Sequence, residues 1–493
     1  MKIPYVVSQN TREAYATSKV MKETSVEAPR KIVAEDFEWD DNRTPAPLTY
    51  FAALALSRIF HRLNPLRLIL AKDVDLLMDL FPASIPLKFS VPYIKDEQYW
   101  KRSFETTFPS RKELGVTYWK GKYLSASLQE YLENINPDVF REDEAVVLAT
   151  LVSPYIFELG LNQLQMARQP TPPRARADVV EDCCVYSVPK VYDHIPMEPV
   201  LVKLYNLQEI SLVFGINNLG DKYLPRYFEF TIADCESLCR GLEDLKHLKI
   251  FRINRSNLDC SKVKLILQNL VKKECLEELD FNHCKIGDYG MKALGGFIFI
   301  HKNLKILRIA NNRFKEVGIQ GIAYAIQMKP AAPIELLDFS LNPMSLECAT
   351  MFAASFVRSK EKPQTLIVNS CGFSGPSAEK MAGILSLNRG LTRLDMAAND
   401  LSGEAEKTLI AALTQNRKIL TIDLRLTNIS DETRTKVDEL LLRNKELLDQ
   451  QDLEPSDEIP PLYLNEPEYL IWEYNPNNPD YIPGRYPERV PEV

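Results

Sequence analysis

The sequence predicts an α/β solenoid, a stack of parallel strands alternating with helices, preceded by a helical domain. Two observations carry this. Between Leu248 and Ile429 one eleven-residue pattern, apolar at its first, fourth, sixth and eleventh positions, occurs seven times, starting at Leu248, Leu276, Leu304, Ile334, Pro363, Leu391 and Ile419. The steps are 28, 28, 30, 29, 28 and 28 residues. The segments between copies carry apolar residues three and four apart, the spacing of a helix with one buried face. A fixed period of this length marks a repeat array, because a single strand-helix unit cannot bury its own apolar face and must stack on its neighbours.

The copies follow L-x-x-L-x-L-x-x-N/C-x-L, the pattern of a leucine-rich repeat. On a strand, alternate residues face opposite sides, so positions four and six point inward while three, five and seven point outward. The ninth position holds Cys284, Asn312, Asn342, Cys371 or Asn399, side chains suited to satisfying backbone groups where the chain leaves the strand. Helices are expected over 262–273, 288–303, 317–329, 346–360, 377–389 and 404–417. A degenerate copy precedes the seven, with Leu207, Ile210 and Leu212 inward and an insertion around 221–230 before its helix. That makes eight repeats, the first irregular. The charged helix expected over 430–451 is suited to covering the last repeat.

The remaining chain divides by texture. Residues 1–44 read as a polar N-terminal extension, 45–169 as a helical domain, 170–200 as a Pro-rich linker, 201–450 as the solenoid with its cap helix, and 451–493 as an acidic tail. In the helical domain the stretches 142–152 and onward to Met166 are read as one more apolar-faced helical segment. The tail holds ten acids against Arg485 and Arg489, together with nine prolines and the aromatic anchors Tyr463, Tyr469, Trp472 and Tyr474. Such a composition builds no core but suits docking, either on another protein or back on the solenoid.

Bulk properties narrow the class. The net charge of −7 arises in the tail, leaving the other residues near neutrality, so no basic footprint for nucleic acid exists. Nine cysteines form no paired framework, which fits reduced thiols inside the cell. The N-terminal residues carry no apolar run suited to a signal peptide, and no membrane span is expected. Phosphate-loop, nucleophile-elbow and zinc-protease motifs are missing from the sequence, and Cys183, Cys184 and His194 lack a usual zinc spacing. Neither catalysis, cofactor nor metal is expected. A solenoid of this kind works by presenting a long concave surface.

That surface can be read by column. Fifth positions run Arg252, Asp280, Arg308, Asp338, Ile367, Asp395, Asp423, and third positions Ile250, Glu278, Ile306, Leu336, Thr365, Arg393, Thr421. With strands roughly 4.8 Å apart, Arg252, Asp280, Arg308 and Asp338 are expected to alternate as a charge ladder. Ile250, Ile306 and Leu336 need a cover, supplied either by the 223–230 insertion or by a partner. The candidate protein-binding residues are therefore Ile250, Arg252, Asp280, Ile306, Arg308, Leu336, Asp338 and Arg393.

With these pieces placed, the repeats resemble the ribonuclease-inhibitor class. The whole layout, with the front segments YWKRSFETTF and YWKGKYLSASLQEYLE, the repeats and the acidic Tyr/Pro tail, resembles the leucine-rich-repeat subunit family of the nexin-dynein regulatory complex. The resemblance implies a scaffold in the cytoskeleton, within the axoneme of motile cilia or flagella, that helps regulate sliding. Its implied partners are other subunits of that complex and, through it, dynein arms and doublet microtubules. Two further readings stay open. VDLLMDLFPASIPLKF followed by DEQYWKRSF is loosely similar to an F-box ahead of leucine-rich repeats, which would make a substrate receptor of a ubiquitin ligase. A Ran-type GTPase-activating protein uses repeats of the same class, with Arg255 one candidate arginine finger.

Overall fold

The computed structural model describes residues 9–14, 16, 46–59, 69–136, 140–166, 193–217, 220–222, 225–328, 334–358, 363–387 and 390–453. The strands form one parallel sheet in chain order: β1 (Glu158–Leu161), β2 (Glu209–Leu212), β3 (Ile250–Ile253), β4 (Glu278–Asp280), β5 (Ile306–Arg308), β6 (Leu336–Asp338), β7 (Thr365–Ile367), β8 (Arg393–Asp395) and β9 (Thr421–Asp423). The helices ahead of the sheet are α1 (Gln9–Ala14), α2 (Leu48–Arg58), α3 (Ala71–Leu80), α4 (Leu87–Ser90), α5 (Glu97–Thr107), α6 (Trp119–Asn134) and α7 (Glu142–Val152). Those between strands are α8 (Glu198–Leu201), α9 (Ile232–Leu242), α10 (Cys260–Leu270), α11 (Gly287–Ile300), α12 (Glu316–Met328), α13 (Leu346–Arg358), α14 (Gly375–Ala382), α15 (Ile384–Leu387) and α16 (Glu404–Gln415), and α17 (Asp431–Leu453) closes the stack.

The inward positions of the copies are buried in β3 to β8, where Phe251 and Ile253, Leu279 and Phe281, Leu307 and Ile309, Leu337 and Phe339, Leu366 and Val368, and Leu394 and Met396 lie inside, while Ile422 of β9 is half-buried. Each helix packs its apolar stripe on the next helix, and the closest pair, α11 and α12, meets at Gly295, where a Cβ would lie 2.5 Å from the Gly321 carbonyl oxygen. One sequence expectation changes. The apolar spacing predicts helix through Met166, yet the helix stops at Val152, just before Pro154, and Glu158–Leu161 becomes β1. Pro154 has no backbone N–H to continue the helical ladder, so the helix ends there although Ser153 itself keeps helical dihedrals of φ −48° and ψ −42°. Leu159 and Leu161 then point inward as in any other repeat, so the sheet has nine strands rather than eight.

The front helices close the β1 edge. Ser125 Oγ donates to the Glu158 carbonyl at 2.6 Å, and Lys122 bridges Glu158 at 2.8 Å and Glu113 at 3.2 Å. Beneath them Tyr99, Trp100 and Phe104 are fully buried, and Arg102 ties α5 to the preceding segment through the carbonyls of Met78 and Phe81 at 2.6 and 2.8 Å. At the other end Arg443 and Asn444 of α17 donate to the carbonyls of Leu413, Asn416 and Ile419, so the charged helix covers carbonyls that no further repeat would reach.

A regularity invisible in the composition sits at the eighth position of each copy. Arg255, His283, Asn311, Leu341, Ser370, Ala398 and Leu426 all have φ between 49° and 58°, the left-handed region, although none is glycine. The chain turns sharply there to leave the strand, and the ninth side chain holds the turn from within. Asn342 Nδ2 donates to the carbonyls of Ile309, Phe339 and Ser340 at 2.9–3.1 Å, while Cys284 and Cys371 donate to Ile253 and Phe339 carbonyls at 3.4 Å. Burial pushes both thiols up to about 12, which keeps them protonated donors.

Candidate protein-binding surface

The parallel register sets the outward columns side by side. Glu209, Ile250, Glu278, Ile306, Leu336, Thr365, Arg393 and Thr421 are successive partners in the third column, and Ser211, Arg252, Asp280, Arg308, Asp338, Ile367, Asp395 and Asp423 in the fifth. The expected ladder along the fifth column does not form. Arg252 instead pairs with Glu209 and, through Nε at 3.0 Å, with Glu278, while Arg308 Nη1 reaches the same Glu278 oxygen at 2.5 Å. The fifth-column aspartates face the backbone. Asp280, Asp338, Asp395 and Asp423 each accept from the amide two residues ahead, at 2.9–3.1 Å. The reason is reach: the short aspartate closes a turn on its own chain, whereas the long guanidinium spans to the neighbouring column.

The electrostatics of this cluster are lopsided. Glu209, Glu278 and Asp280 cluster around Arg252 and Arg308, and Asp280 is buried. Burial pushes its carboxyl up to about 6, against the pull of the two arginines and its amide hydrogen bond. Because the folded value lies above the unfolded one, this group's contribution to stability is present below about pH 4 and is lost as pH rises through about 6. Asp280→Asn, which keeps an acceptor for the Asn282 amide, is expected to match the parent at pH 4 and to be more stable by on the order of 2 kcal/mol at pH 7.5. Denaturant titrations at the two pH values check this; a variant less stable at pH 7.5 would contradict it.

The face thus has three zones. Its β2–β5 zone is the charge network, self-neutralised apart from Asp280. In the middle Ile306, Leu336 and Ile367 form a half-buried apolar strip across β5, β6 and β7. Beyond it lie Asp395 and Asp423, with Arg425 on Asp423 at 2.6 Å, and the exposed Arg393. The structure therefore brings Ile250, Arg252, Asp280, Ile306, Arg308, Leu336 and Asp338 onto one continuous surface, and places Arg393 with Asp395, Asp423 and Arg425 in a zone of mixed charge two strands from Leu336. Sequence reasoning missed Glu209, Glu278 and Ile367. Ile367 carried a readable signal as the single apolar residue in a charged column; the glutamates did not, because their pairing is diagonal. Described contacts of the insertion run to Phe214 and Asn257, with Phe214 and Phe230 rings 4.2 Å apart and the Asn257 amide on the Phe228 carbonyl at 3.2 Å, so it lies past the strand ends of β2 and β3 rather than over the strip.

Other candidate residues fall elsewhere. Tyr463, Tyr469, Trp472 and Tyr474 lie outside the described residues, as do Cys183 and Cys184. His194 is buried with Nδ1 2.8 Å from Asp234 Oδ2. Among the described residues no group of three or more His, Cys, Asp or Glu is placed to hold a metal, and no helix is long and apolar enough to cross a membrane.

Fold and columns together define a leucine-rich-repeat protein of the ribonuclease-inhibitor type. The family described as Leucine Rich repeat matches residues 272–295, and Ribonuclease inhibitor of Mus musculus is 22% identical over 169 residues, 34% of this chain and 37% of that protein. A narrower likeness extends over more of the chain. It is similar to Dynein regulatory complex subunit 5 of Mus musculus, 29% identical over 279 residues, 55% of each chain, and to the protein of that name from Chlamydomonas reinhardtii, 24% identical over 195 residues, 39% of this chain and 43% of the other. The matches span about half the length of these curated relatives or less.

Proposed function

We propose that this chain is a non-enzymatic scaffold subunit of the nexin-dynein regulatory complex, held in the axoneme of motile cilia or flagella and docking other subunits on its concave face. The similarity to Dynein regulatory complex subunit 5 from a mammal and an alga supports the assembly. For the surface, the single observation that carries the reading is the apolar strip Ile306, Leu336 and Ile367, half-open to solvent between two zones of mixed charge. An apolar strip bounded by mixed charge fits a partner segment with an apolar core and polar flanks that carry both signs of charge. Dynein arms and doublet microtubules are reached through the complex.

The test pairs location with surface. Cross-linking mass spectrometry on intact axonemes is expected to place this chain beside other subunits of the complex, with links concentrated on strands β5 to β8. Ile306→Asp combined with Leu336→Asp is expected to leave the melting temperature within a few degrees of the parent, since both face outward, while abolishing incorporation into axonemes. A chain found only in soluble cytoplasm would overturn the assembly, and a double variant that still incorporates would overturn the surface.

A further inference from the structure

The convex side of the solenoid carries a second surface that the concave face does not explain. Tyr289, Phe299 and Ile300 on α11 and Val317 and Tyr324 on α12 are 73%, 48%, 63%, 43% and 56% exposed. The Phe299 and Tyr324 rings lie 6.4 Å apart, which makes the patch continuous across the two helices. Scattered apolar residues on a surface are ordinary; an aromatic patch shared by adjacent helices is not.

Gly296 adds an independent sign. Gly295 beside it is required by the close approach of α12, but at Gly296 an added Cβ would meet nothing within 4 Å. A glycine inside a helix weakens it relative to alanine, and the described residues supply no packing reason for one here. What a bare backbone at that point provides is a low bed between the aromatic groups, where an external segment can approach closely. The rim is basic: Lys292 and Lys302 are exposed and make no ion pair among the described residues.

The occupant that fits these features is acidic and presents apolar or proline surface to aromatic rings. Proline-rich segments dock on aromatic-lined surfaces because little order is lost on binding. Residues 454–493 of this chain hold nine prolines and nine acids against two arginines. They also start within reach. Asn444 of α17 hydrogen-bonds the Asn416 carbonyl at the end of α16, so the nine helical residues that follow it project past the helix C-termini. Ile300 and Lys302 lie at that same edge, at the end of α11. Neighbouring helices 8–10 Å apart put α11 about 50 Å from α17, whereas forty extended residues span on the order of 130 Å.

We propose that the acidic, Pro/Tyr-rich C-terminal segment 454–493 docks on its own solenoid across α11 and α12, with Glu473, Asp480 and Glu488 beside Lys292 and Lys302 and its aromatic and proline residues over Tyr289, Gly296 and Tyr324. The tether raises the local concentration of the segment above that of any free competitor of equal affinity. A second copy of the chain fits less well, because the basic rim would face itself.

The experiment uses the full chain as an equal mixture of isotopically light and heavy protein, treated with a carbodiimide that joins lysine to carboxylate without a spacer. Links from Lys292 or Lys302 to acids of 454–493 are expected within single chains, and their loss is expected in full-length Tyr289→Ala/Tyr324→Ala and, separately, in full-length Tyr469→Ala/Trp472→Ala. Light-heavy links at these lysines would show a second copy in the site and overturn the proposal. So would an absence of tail links in the parent, or their survival at parental yield in both double variants.

Discussion

Leu307→Asp is expected to abolish cooperative folding of the central repeats. Leu307 is fully buried in β5, flanked in register by Leu279 and Leu337 of the adjoining strands. An aspartate there has neither water nor a cation on the inward side. Its carboxyl must stay charged without a partner or take up a proton, and either course leaves polar atoms among leucines. The cost is about 4–5 kcal/mol, at the upper end of single substitutions and comparable to the whole stability of many domains. Because each repeat contacts mainly its neighbours, the damage should appear as a broadened or split unfolding transition rather than as a uniform shift. Calorimetry and hydrogen exchange across β4 to β6 read this directly. Ile306→Asp, one residue earlier and on the opposite face, is the control, expected to melt within a few degrees of the parent. Equal losses in the two variants would overturn the inward-outward assignment on which the concave surface rests.

That contrast also marks what the sequence could convey. Period and alternation are local properties, so the inward positions were readable from Leu248 onward, and the structure buries Phe251, Leu279, Leu307 and Leu337 as the pattern requires. The first strand was harder. Leu159 and Leu161 alternate as a strand does, but they follow α7 within a few residues and have no ninth-position asparagine to announce a repeat; tertiary pairing with β2 decides their conformation. The left-handed turns were not legible either, since residues as unlike as Arg255, Leu341 and Ala398 occupy them. The ninth side chain and the carbonyls of the preceding repeat hold these turns, and that constraint comes from stacking.

For the surface, the columns were legible and the pairings were not. Knowing that Arg252 and Asp280 are neighbours fixes a distance between backbones, not the direction each side chain takes. Aspartate has a nearer use for its oxygens in the amide of residue 282, and Arg252 finds two glutamates at the length of its own side chain. Charge alternation along a column is therefore a weaker guide than side-chain length combined with what the backbone offers. The apolar members needed no such competition, and so Ile306 and Leu336 stayed where the pattern put them.

The ninth-position ladder supplies the second large effect. Asn342 is fully buried; its amide donates to the carbonyls of Ile309, Phe339 and Ser340, and its Oδ1 accepts from the Asn312 amide at 2.6 Å. One side chain thereby joins the turns of two adjacent repeats. Asn342→Ala removes every one of these bonds and leaves the Asn312 N–H and the Ile309 carbonyl buried without this partner, at about 1–3 kcal/mol for each such group. A total on the order of 4 kcal/mol is expected. Asn342→Cys should lose less, because Cys284 and Cys371 show that a thiol at this position still donates to the strand carbonyl of the preceding repeat, at 3.4 Å. It cannot replace Oδ1 as an acceptor at normal strength, so it should not recover the parent. The expected stability order, read from denaturant midpoints at constant m, is parent, then Cys, then Ala. If Ala and Cys proved equal, the carbonyl bonds would contribute nothing measurable, and the left-handed turns at Asn311 and Leu341 would have to be held by strand pairing alone.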